Sequence, residues 1–264
     1  MKDITVILPI HEFTSDTSRW LKLSVNSVNL QTVRPEKFII VYNPSIEKDI
    51  KSTITNEETS NINDIIEYLP NTTGEYDFCS QMNFAVDHVS TEYFSLLEFD
   101  DEYSRIWFKN VKKYIDTYPE VGVFLPIVVE TDPNGNFITF TNESVWAKDF
   151  SEEMGILDNN TLSKYANYNI DGMVIKTNTF QRLGKLKPSM KLTFIYEFLL
   201  RLTFNDTKIM SIPKLGYRHS NQRPNSLFVE YQKTLSQDEA RFWMNLAKKE
   251  YFFKEDRKIM YEPV

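Results

Sequence analysis

Four short apolar runs, separated by segments of helical pattern, restrict the fold of this chain more than any other feature of its sequence. The runs occupy residues 4–8, 38–41, 65–69 and 93–97. Continuous apolar runs of this length are typical of strands that are buried on both faces. Strands that alternate with helices form a parallel sheet with right-handed crossovers. The chain up to about residue 120 therefore predicts an α/β fold.

The pattern changes after about residue 120. Two runs at 121–130 and 136–141 flank Asp132-Pro-Asn-Gly135, which is a strong signal for a β-hairpin. We expect a mixed, mostly parallel sheet flanked by helices, with a C-terminal helical extension. The remaining elements are predicted as a strand at 172–176, a helix at about 193–204, a strand at 208–212 and a terminal helix at 236–253.

Charge and cysteine content exclude some classes of protein. The net charge of −7 argues against a general nucleic-acid binder, which would be basic. Cys79 is the only cysteine, so no intrachain disulfide can form, and a reducing compartment such as the cytoplasm is expected. The apolar run at the N-terminus is too short for a signal peptide or a membrane span.

Three acidic residues crowd the end of the fourth apolar run, in the sequence Glu98-Phe-Asp100-Asp101. Carboxylates so close together repel one another, and each costs free energy to bury unless a cation or hydrogen-bond donors compensate it. A divalent metal ion is one such compensation. The alternative is a solvated helix N-terminus, where acidic residues are also favoured. Ligands of parallel sheets bind at the carboxyl ends of strands, where this cluster and Tyr42-Asn43 both lie, and this position favours a functional site.

Several short motifs, in order along residues 3–226, resemble those of family 2 glycosyltransferases, which have the GT-A fold. Each motif is weak alone, and their order carries the resemblance. They are the strand ending at Pro9, Gln31-Thr32, Gln81-Met82-Asn83, Glu92-Tyr93, Glu98-Phe-Asp100-Asp101, Gly184-Lys-Leu186, Glu197-Phe-Leu-Leu-Arg201-Leu202 and Tyr217-Arg218-His219.

The resemblance implies a site for a nucleotide-diphospho-sugar and a divalent cation, Mn²⁺ or Mg²⁺. It divides the chain into a glycosyltransferase domain at 1–226, with a nucleotide-binding half (1–118) and an acceptor half (119–226), and an extension at 227–264. The implied metal ligands are Glu98, Asp100, Asp101 and His219. The implied contacts to the nucleotide-sugar are Pro9, His11, Glu12, Tyr42, Asn43, Asn83, Asp100, Arg218 and Arg223.

The chain departs from the family pattern at several of these positions. Glu12 replaces the asparagine that follows the first strand, and Tyr42-Asn43 replaces an acidic pair that holds the nucleotide base and ribose. Met82 replaces an arginine. Because the acidic pair is missing at 42–43, the base of the donor nucleotide is left open.

The proton acceptor of the transfer is also displaced. Where the family has a Glu-Asp pair, this chain has Phe194-Ile195, and Glu197 is the nearest acid. We predict Glu197 as the catalytic base. The alternative is an ion pair within the helix, because Glu197 and Arg201 are four positions apart. Asp171 is a second candidate for the base.

Aromatic residues mark two further surfaces. Trp146, Phe150, Tyr165 and Tyr168 lie where the family varies with its acceptor, although core packing is the commoner use of such side chains. The terminal helix combines Phe242, Trp243, Leu246, Ala247 and Phe253 with lysines, which suits either packing on its own domain or peripheral contact with a membrane.

The expected function is transfer of a sugar from a nucleotide-diphospho-sugar to a glycan or lipid-linked acceptor, with inversion and with a divalent cation. The missing acids at 42–43 and 194–195 motivate an alternative, a catalytically silent module that binds nucleotide-sugar or glycan. A nucleotidyltransferase would need a basic, glycine-rich loop after the first strand, and residues 11–18 contain neither glycine nor lysine.

Overall fold

A computed structural model describes residues 3–143, 155–164, 167–221, 223 and 226–251. The predictions for Trp146, Phe150, Tyr165 and Phe253 fall outside these residues. The strands are β1 Ile4–Ile10, β2 Lys37–Tyr42, β3 Ile66–Pro70, β4 Tyr93–Leu96, β5 Glu102–Tyr103, β6 Val123–Thr131, β7 Phe137–Thr141, β8 Ile156–Leu157, β9 Val174–Lys176 and β10 Ile209–Ser220.

Ten α-helices in the described residues connect and cover these strands. Three short 3-10 helices lie at Pro44–Ile46, Asn63–Ile65 and Pro188–Thr193. The α-helices are α1 Thr17–Asn29, α2 Glu47–Thr53, α3 Asn56–Thr59, α4 Phe78–Val86, α5 Trp107–Thr117, α6 Asn159–Lys164, α7 Thr177–Arg182, α8 Phe194–Phe204, α9 Leu227–Thr234 and α10 Gln237–Tyr251.

The strands of the described residues form one sheet in the order β3-β2-β1-β4-β9-β6-β10-β5, with β7 beside β6 and β8 beside β10. The β1–β2, β2–β3, β1–β4 and β6–β10 pairs are parallel. Strand β9 runs antiparallel to both β4 and β6, and so joins the two parallel groups. The predicted mixed, mostly parallel sheet flanked by helices is confirmed.

The bounds of two predicted strands were wrong. The strand predicted at 172–176 begins at Val174, because Gly172 adopts φ +67° and turns the chain before it. The strand predicted at 208–212 continues to Ser220, because it pairs with β6 along its length and with β5 near its end.

Each central strand is buried on both faces, and its residues alternate between two hydrophobic clusters. In β1, Val6 and Leu8 pack with helices α1 and α5, whereas Ile7 packs on the opposite face with α4 and α8. Strand β2 repeats this alternation with Ile40 and Val41. Full burial of such side chains contributes about 1.5–3 kcal/mol each, which explains why their apolar runs are continuous.

Four hydrogen bonds fix the segment around the end of β4. The backbone N–H of Glu98 donates to the Tyr217 hydroxyl oxygen at 3.0 Å, and the Ser24 hydroxyl donates to the Glu98 carbonyl at 2.9 Å. The Tyr103 hydroxyl donates to the Leu96 carbonyl at 2.6 Å. The Trp107 indole donates to the Gly172 carbonyl at 3.1 Å. The acidic segment therefore starts from an ordered backbone.

The extension beyond residue 226 packs partly on the domain. In α10, Ala247 and Tyr251 are buried and Trp243 is partly buried against the α8 side of the core. Phe242 and Leu246 are exposed. None of the helices in the described part of the chain combines the length and apolar character needed to cross a bilayer.

We predict that Gly216→Ala destabilises the protein by about 1–3 kcal/mol, the usual cost of overpacking a core. A Cβ at Gly216 would lie 2.5 Å from the Trp107 ring and 2.6 Å from Pro126. Urea unfolding measures the change, and Lys214→Ala, at an exposed position of the same strand, is the control. Equal stability of the two variants would contradict this packing.

Candidate functional site

The acidic segment after β4 meets the end of β10 and the residues before β9. His219 Nδ1 lies 2.9 Å from Asp101 Oδ2 and 3.8 Å from Asp171 Oδ2. The backbone N–H of Ser220 donates to Asp101 Oδ1 at 2.8 Å. We call Glu98, Asp100, Asp101, Asp171 and His219 the acid cluster. The structure thus brings together all four predicted metal ligands and adds Asp171 to them.

Arg223 joins this cluster to the end of β1. Its Nε donates to Asp100 Oδ2 at 2.7 Å and its Nη1 to Glu12 Oε1 at 3.1 Å. The guanidinium carbon lies 5.1 Å from the Trp20 ring centre and 4.9 Å from that of Phe99. The Arg223 side chain is only 5% exposed, so this charge is held in a fixed place by aromatic packing and two carboxylates.

The electrostatics of the acid cluster show that its negative charge is incompletely compensated. Burial, followed by the neighbouring carboxylates, raises the pKa of Glu98 well above its usual value. Burial and Asp101 raise the pKa of Asp100 to about 6, although Arg223 lowers it. Burial raises the pKa of Asp171 to about 7. Burial and the mutual repulsion of the carboxylates thus favour the protonated forms of these groups more than water does.

The pKa of His219 is raised by its neighbours although burial acts to lower it. Desolvation would lower its pKa, but the carboxylates of Asp101 and Asp171 raise it well above the usual value. The imidazolium is therefore favoured in the present arrangement, in which it serves as a cation for the cluster. A neutral imidazole is the form that coordinates a metal ion.

At the end of β1, Pro9, His11 and Glu12 lie beside the cluster. The His11 ring packs edge-on against Phe99, with ring centres 5.3 Å apart. Burial lowers the pKa of His11 to about 4, so the ring is neutral near pH 7. The Gln81 amide donates to the Ile10 carbonyl at 2.7 Å, whereas the buried Gln81 Oε1 has no hydrogen-bond partner among the described residues.

Other predicted contacts to the nucleotide-sugar are held by the protein itself. The Tyr42 ring is buried in the core, and burial raises its pKa to about 12. Asn43 accepts the Ser45 N–H at 3.0 Å as the N-cap of a 3-10 helix. Asn83 exchanges two hydrogen bonds with the Leu186 backbone, at 2.8 and 3.0 Å. Asn43 and Asn83 are partly buried, and Asn43 directly follows the end of β2.

Glu197 lies in a separate, buried group of charges. Its carboxylate accepts from Arg201 Nε at 2.8 Å and Nη2 at 2.9 Å, from the Tyr251 hydroxyl at 2.9 Å and lies 2.8 Å from Lys187 Nζ. Burial alone would raise the pKa of Glu197, but Arg201 and Lys187 hold it below its usual value. The geometry supports the helical ion pair, and the role of Glu197 as catalytic base stays a prediction.

The donor set of the acid cluster fits a hard divalent cation, since it offers carboxylate oxygens and one imidazole. Within the described residues, no three acidic, histidine or cysteine side chains already converge on one metal position. Arg223 binds Asp100 and His219 binds Asp101 instead. Metal binding would therefore require these side chains to exchange partners.

Sequence reasoning missed two contributors to the site, Trp20 and Gln81. The sequence indicates Trp20 only as apolar surface of a helix. The tertiary structure shows that its ring also packs against the Arg223 guanidinium. Gln81 lies four positions after the helix N-cap Asp77. No neighbouring residue in the sequence indicates that its side-chain oxygen lacks a hydrogen bond. Tyr168 belongs to the core, as its 8% exposure shows.

A model of the family described as "Glycosyl transferase family 2" matches residues 5–173, which is more than half of the chain. The chain belongs to this family. The match includes the ends of β1, β2 and β4, and hence the acidic segment, whereas β9 and β10 follow it. No curated protein sequence matches the chain.

Solved structures similar to this family member are glycosyltransferases at low sequence identity. TarS of S. aureus (1–349) in complex with UDP-GlcNAc has a TM-score of 0.69 and 13% identity over 95% of this chain and 66% of that one. Without UDP-GlcNAc, TarS 1–349 gives a TM-score of 0.60, at 15% identity, over 83% and 60% of the two chains. The mannosyltransferase PcManGT from Pyrobaculum calidifontis in complex with GDP-Man and Mn²⁺ has a TM-score of 0.59, at 11% identity, over 99% and 65%.

These likenesses establish the GT-A fold. The chain spans slightly less than two thirds of the length of each of these three structures.

We predict that the metal-free protein loses stability as pH rises from about 5 to 7. The raised pKa values of Asp100 and Asp171 mean that the native state binds more protons than the unfolded chain in this window. The raised pKa of His219 acts in the same direction. Thermal unfolding across this range measures the fall, and Asp171→Asn is expected to flatten it.

Asp49→Asn, at an exposed carboxylate of α2, is the control for this series and should keep the wild-type slope. Identical slopes in wild type and Asp171→Asn would contradict the assignment of the titration to the cluster.

We also predict that Glu197→Gln costs about 3–5 kcal/mol of stability, because it leaves the Arg201 charge buried without its partner. Urea unfolding measures the loss. Glu230→Gln breaks the exposed pair with Lys233 and should change stability by less than about 1 kcal/mol. A Glu197→Gln protein with wild-type stability and lost transfer activity would support the base role instead.

Proposed function

We propose that the protein transfers a sugar from a nucleotide-diphospho-sugar to a hydroxyl group of a glycan or lipid-linked acceptor, with inversion at the anomeric carbon. The observation that carries the proposal is the undercompensated acid cluster at the carboxyl end of β4. The family membership of the chain supports the reaction class. TarS in complex with UDP-GlcNAc and PcManGT in complex with GDP-Man support the donor class, without choosing the base.

We propose that the reaction uses a divalent cation held by Glu98, Asp100, Asp101 and His219. The presence of Mn²⁺ in the PcManGT complex supports this use. Such an ion would neutralise charge on the departing nucleoside diphosphate. Burial and neighbouring carboxylates raise the pKa values of Glu98 and Asp100, as expected of a site that would gain from additional positive charge.

Arg223 is the second source of positive charge in the proposed reaction. Its planar guanidinium is buried between two aromatic rings and is suited to bidentate contact with phosphate oxygens. If Asp100 held a cation, the Nε of Arg223 would lose its partner and could donate to the diphosphate, while Nη1 could keep its contact with Glu12. Neutral His11 and the free acceptor Gln81 Oε1 lie on the β1 side and offer polar contacts to the nucleoside.

The transfer also needs a group that takes the proton of the acceptor hydroxyl. Of the two candidates from the sequence, Asp171 lies in the acid cluster and Glu197 lies in its own ion-pair group. No hydrogen bond or ion pair connects these groups among the described residues. The geometry therefore favours Asp171 for this task.

A catalytically silent binding module is the second candidate function. The observation that favours it is that Asp100 and Glu197 both form buried ion pairs within the chain. Such a module would bind a nucleoside diphosphate or its sugar derivative and show no turnover with any acceptor.

The test is a thermal-shift screen of UDP, GDP, ADP and CDP with and without Mn²⁺. A ligand at a hundredfold excess over its Kd stabilises the native state by about 2.7 kcal/mol. We expect one base to shift the wild type in an Mn²⁺-dependent manner and Asp100→Asn to abolish that dependence. Asp49→Asn should behave as wild type.

Two results would refute the proposal. One is the absence of a shift with every nucleotide. The other is an equal, Mn²⁺-dependent shift in Asp100→Asn. Release of free sugar from a nucleotide-sugar with the base that shifts the wild type, measured in a separate incubation with Mn²⁺, separates the transferase from the silent module.

A further inference from the structure

A cavity of about 400 Å³ opens beside the acid cluster, on the side away from β2 and β3. Its volume lies in the range of small-molecule sites. Three parts of the chain form its walls: the start of α1, the turn between β6 and β7, and the end of β10. The lining includes Arg19, Trp20, Leu23, Asp100, Asp132 and Arg218.

The position of this cavity in the sheet separates it from the nucleotide. The predicted base contacts lie at the ends of β1 and β2, on one side of β4. The β6–β7 turn and the end of β10 lie beyond β9, on the other side. Asp100 lines the cavity and also belongs to the acid cluster, so a molecule bound there would meet the sugar at the cluster.

Among the residues that the structure describes, the charged side chains of the lining leave one cation without an ion-pair partner. Asp100 pairs with Arg223, and Glu102 pairs with Arg218. Asp132 accepts the backbone N–H groups of Asn134 and Asn136 within its own turn, at 2.9 and 2.8 Å.

Arg19 is exposed at the start of α1 and forms no ion pair with any residue that the structure describes. Every carboxylate on the cavity wall is thus committed, while one guanidinium is free. Trp20 and Leu23, one turn of helix, add apolar surface beside that guanidinium.

We propose that this cavity binds the acceptor, and that the acceptor carries an oxyanion, a carboxylate or a phosphate, which pairs with Arg19. An arginine offers parallel N–H groups that match both oxyanions in a bidentate manner. The partly buried Trp20 and the apolar Leu23 are suited to the C–H faces of a sugar ring. The proposal rests on the proposed function, because it takes the acid cluster as the place of transfer.

The experiment measures binding of three probes by saturation-transfer NMR, in the presence of Mn²⁺ and the nucleoside diphosphate that shifts the wild type. The probes are methyl glucoside, methyl glucuronide and methyl glucoside 6-phosphate. Bound nucleotide keeps the charged probes out of the donor site. We expect both charged probes to bind at least about tenfold more tightly than the neutral one, the effect of one charge-assisted contact. The charged probe that binds more tightly of the two shows whether the cavity prefers a carboxylate or a phosphate.

Arg19→Gln is expected to remove this preference and to leave nucleotide binding unchanged. Arg241→Gln, at an exposed arginine of α10, is the matched control and should keep the preference. The inference would be overturned if Arg19→Gln and the wild type showed the same preference for the charged probes. It would also be overturned if the wild type bound nucleotide but neither charged probe. Failure of wild type to bind any nucleotide would instead remove the proposed function beneath it.

Discussion

The electrostatic cost of placing several carboxylates at the buried end of β4 is the constraint on which the rest of this site depends. Arg223 and His219 reduce that cost, and both come from the end of β10 and the residues that follow it. To reach the carboxylates, β10 must extend well past its predicted end and pair with β5. The aromatic rings of Trp20 and Phe99 then fix Arg223 in place. The contacts that compensate these carboxylates thereby connect α1, the ends of β1 and β4, and β10.

A second charge network has a different task. The pair of Glu197 and Arg201 lies in the α8 side of the core, where Arg201 also donates to the Leu183 and Lys185 carbonyls. Tyr251, at the end of α10, donates to the same carboxylate. This network anchors the C-terminal extension to the domain, and it does so on the opposite side of the sheet from α1. The ion pairs around Glu197, which stabilise the packing of α10, are thus separate from the acid cluster that we propose as the ligand site.

The part of the candidate site whose residues lie close together in the sequence was predictable. Glu98, Asp100 and Asp101 lie within four positions of the sequence, and the apolar run before them indicates the end of a strand. Their partners were harder to predict, because about 120 positions separate Arg223 from Asp100 and no local pattern records the contact. The family resemblance supplied His219 as a ligand. Asp171 joined the cluster only through the turn at Gly172.

By itself, the sequence determined the two-sided burial of the central strands, the order of the family motifs and the concentration of acids after β4. These features depend on composition and spacing within a few residues. Tertiary structure alone decided which carboxylates pair with a cation and which have raised pKa values. It also placed Glu197 and Arg201 in the ion pair that their spacing allows, while the role of Glu197 as catalytic base stays a prediction. The physical reason is that burial and charge pairing are set by residues far apart in the chain.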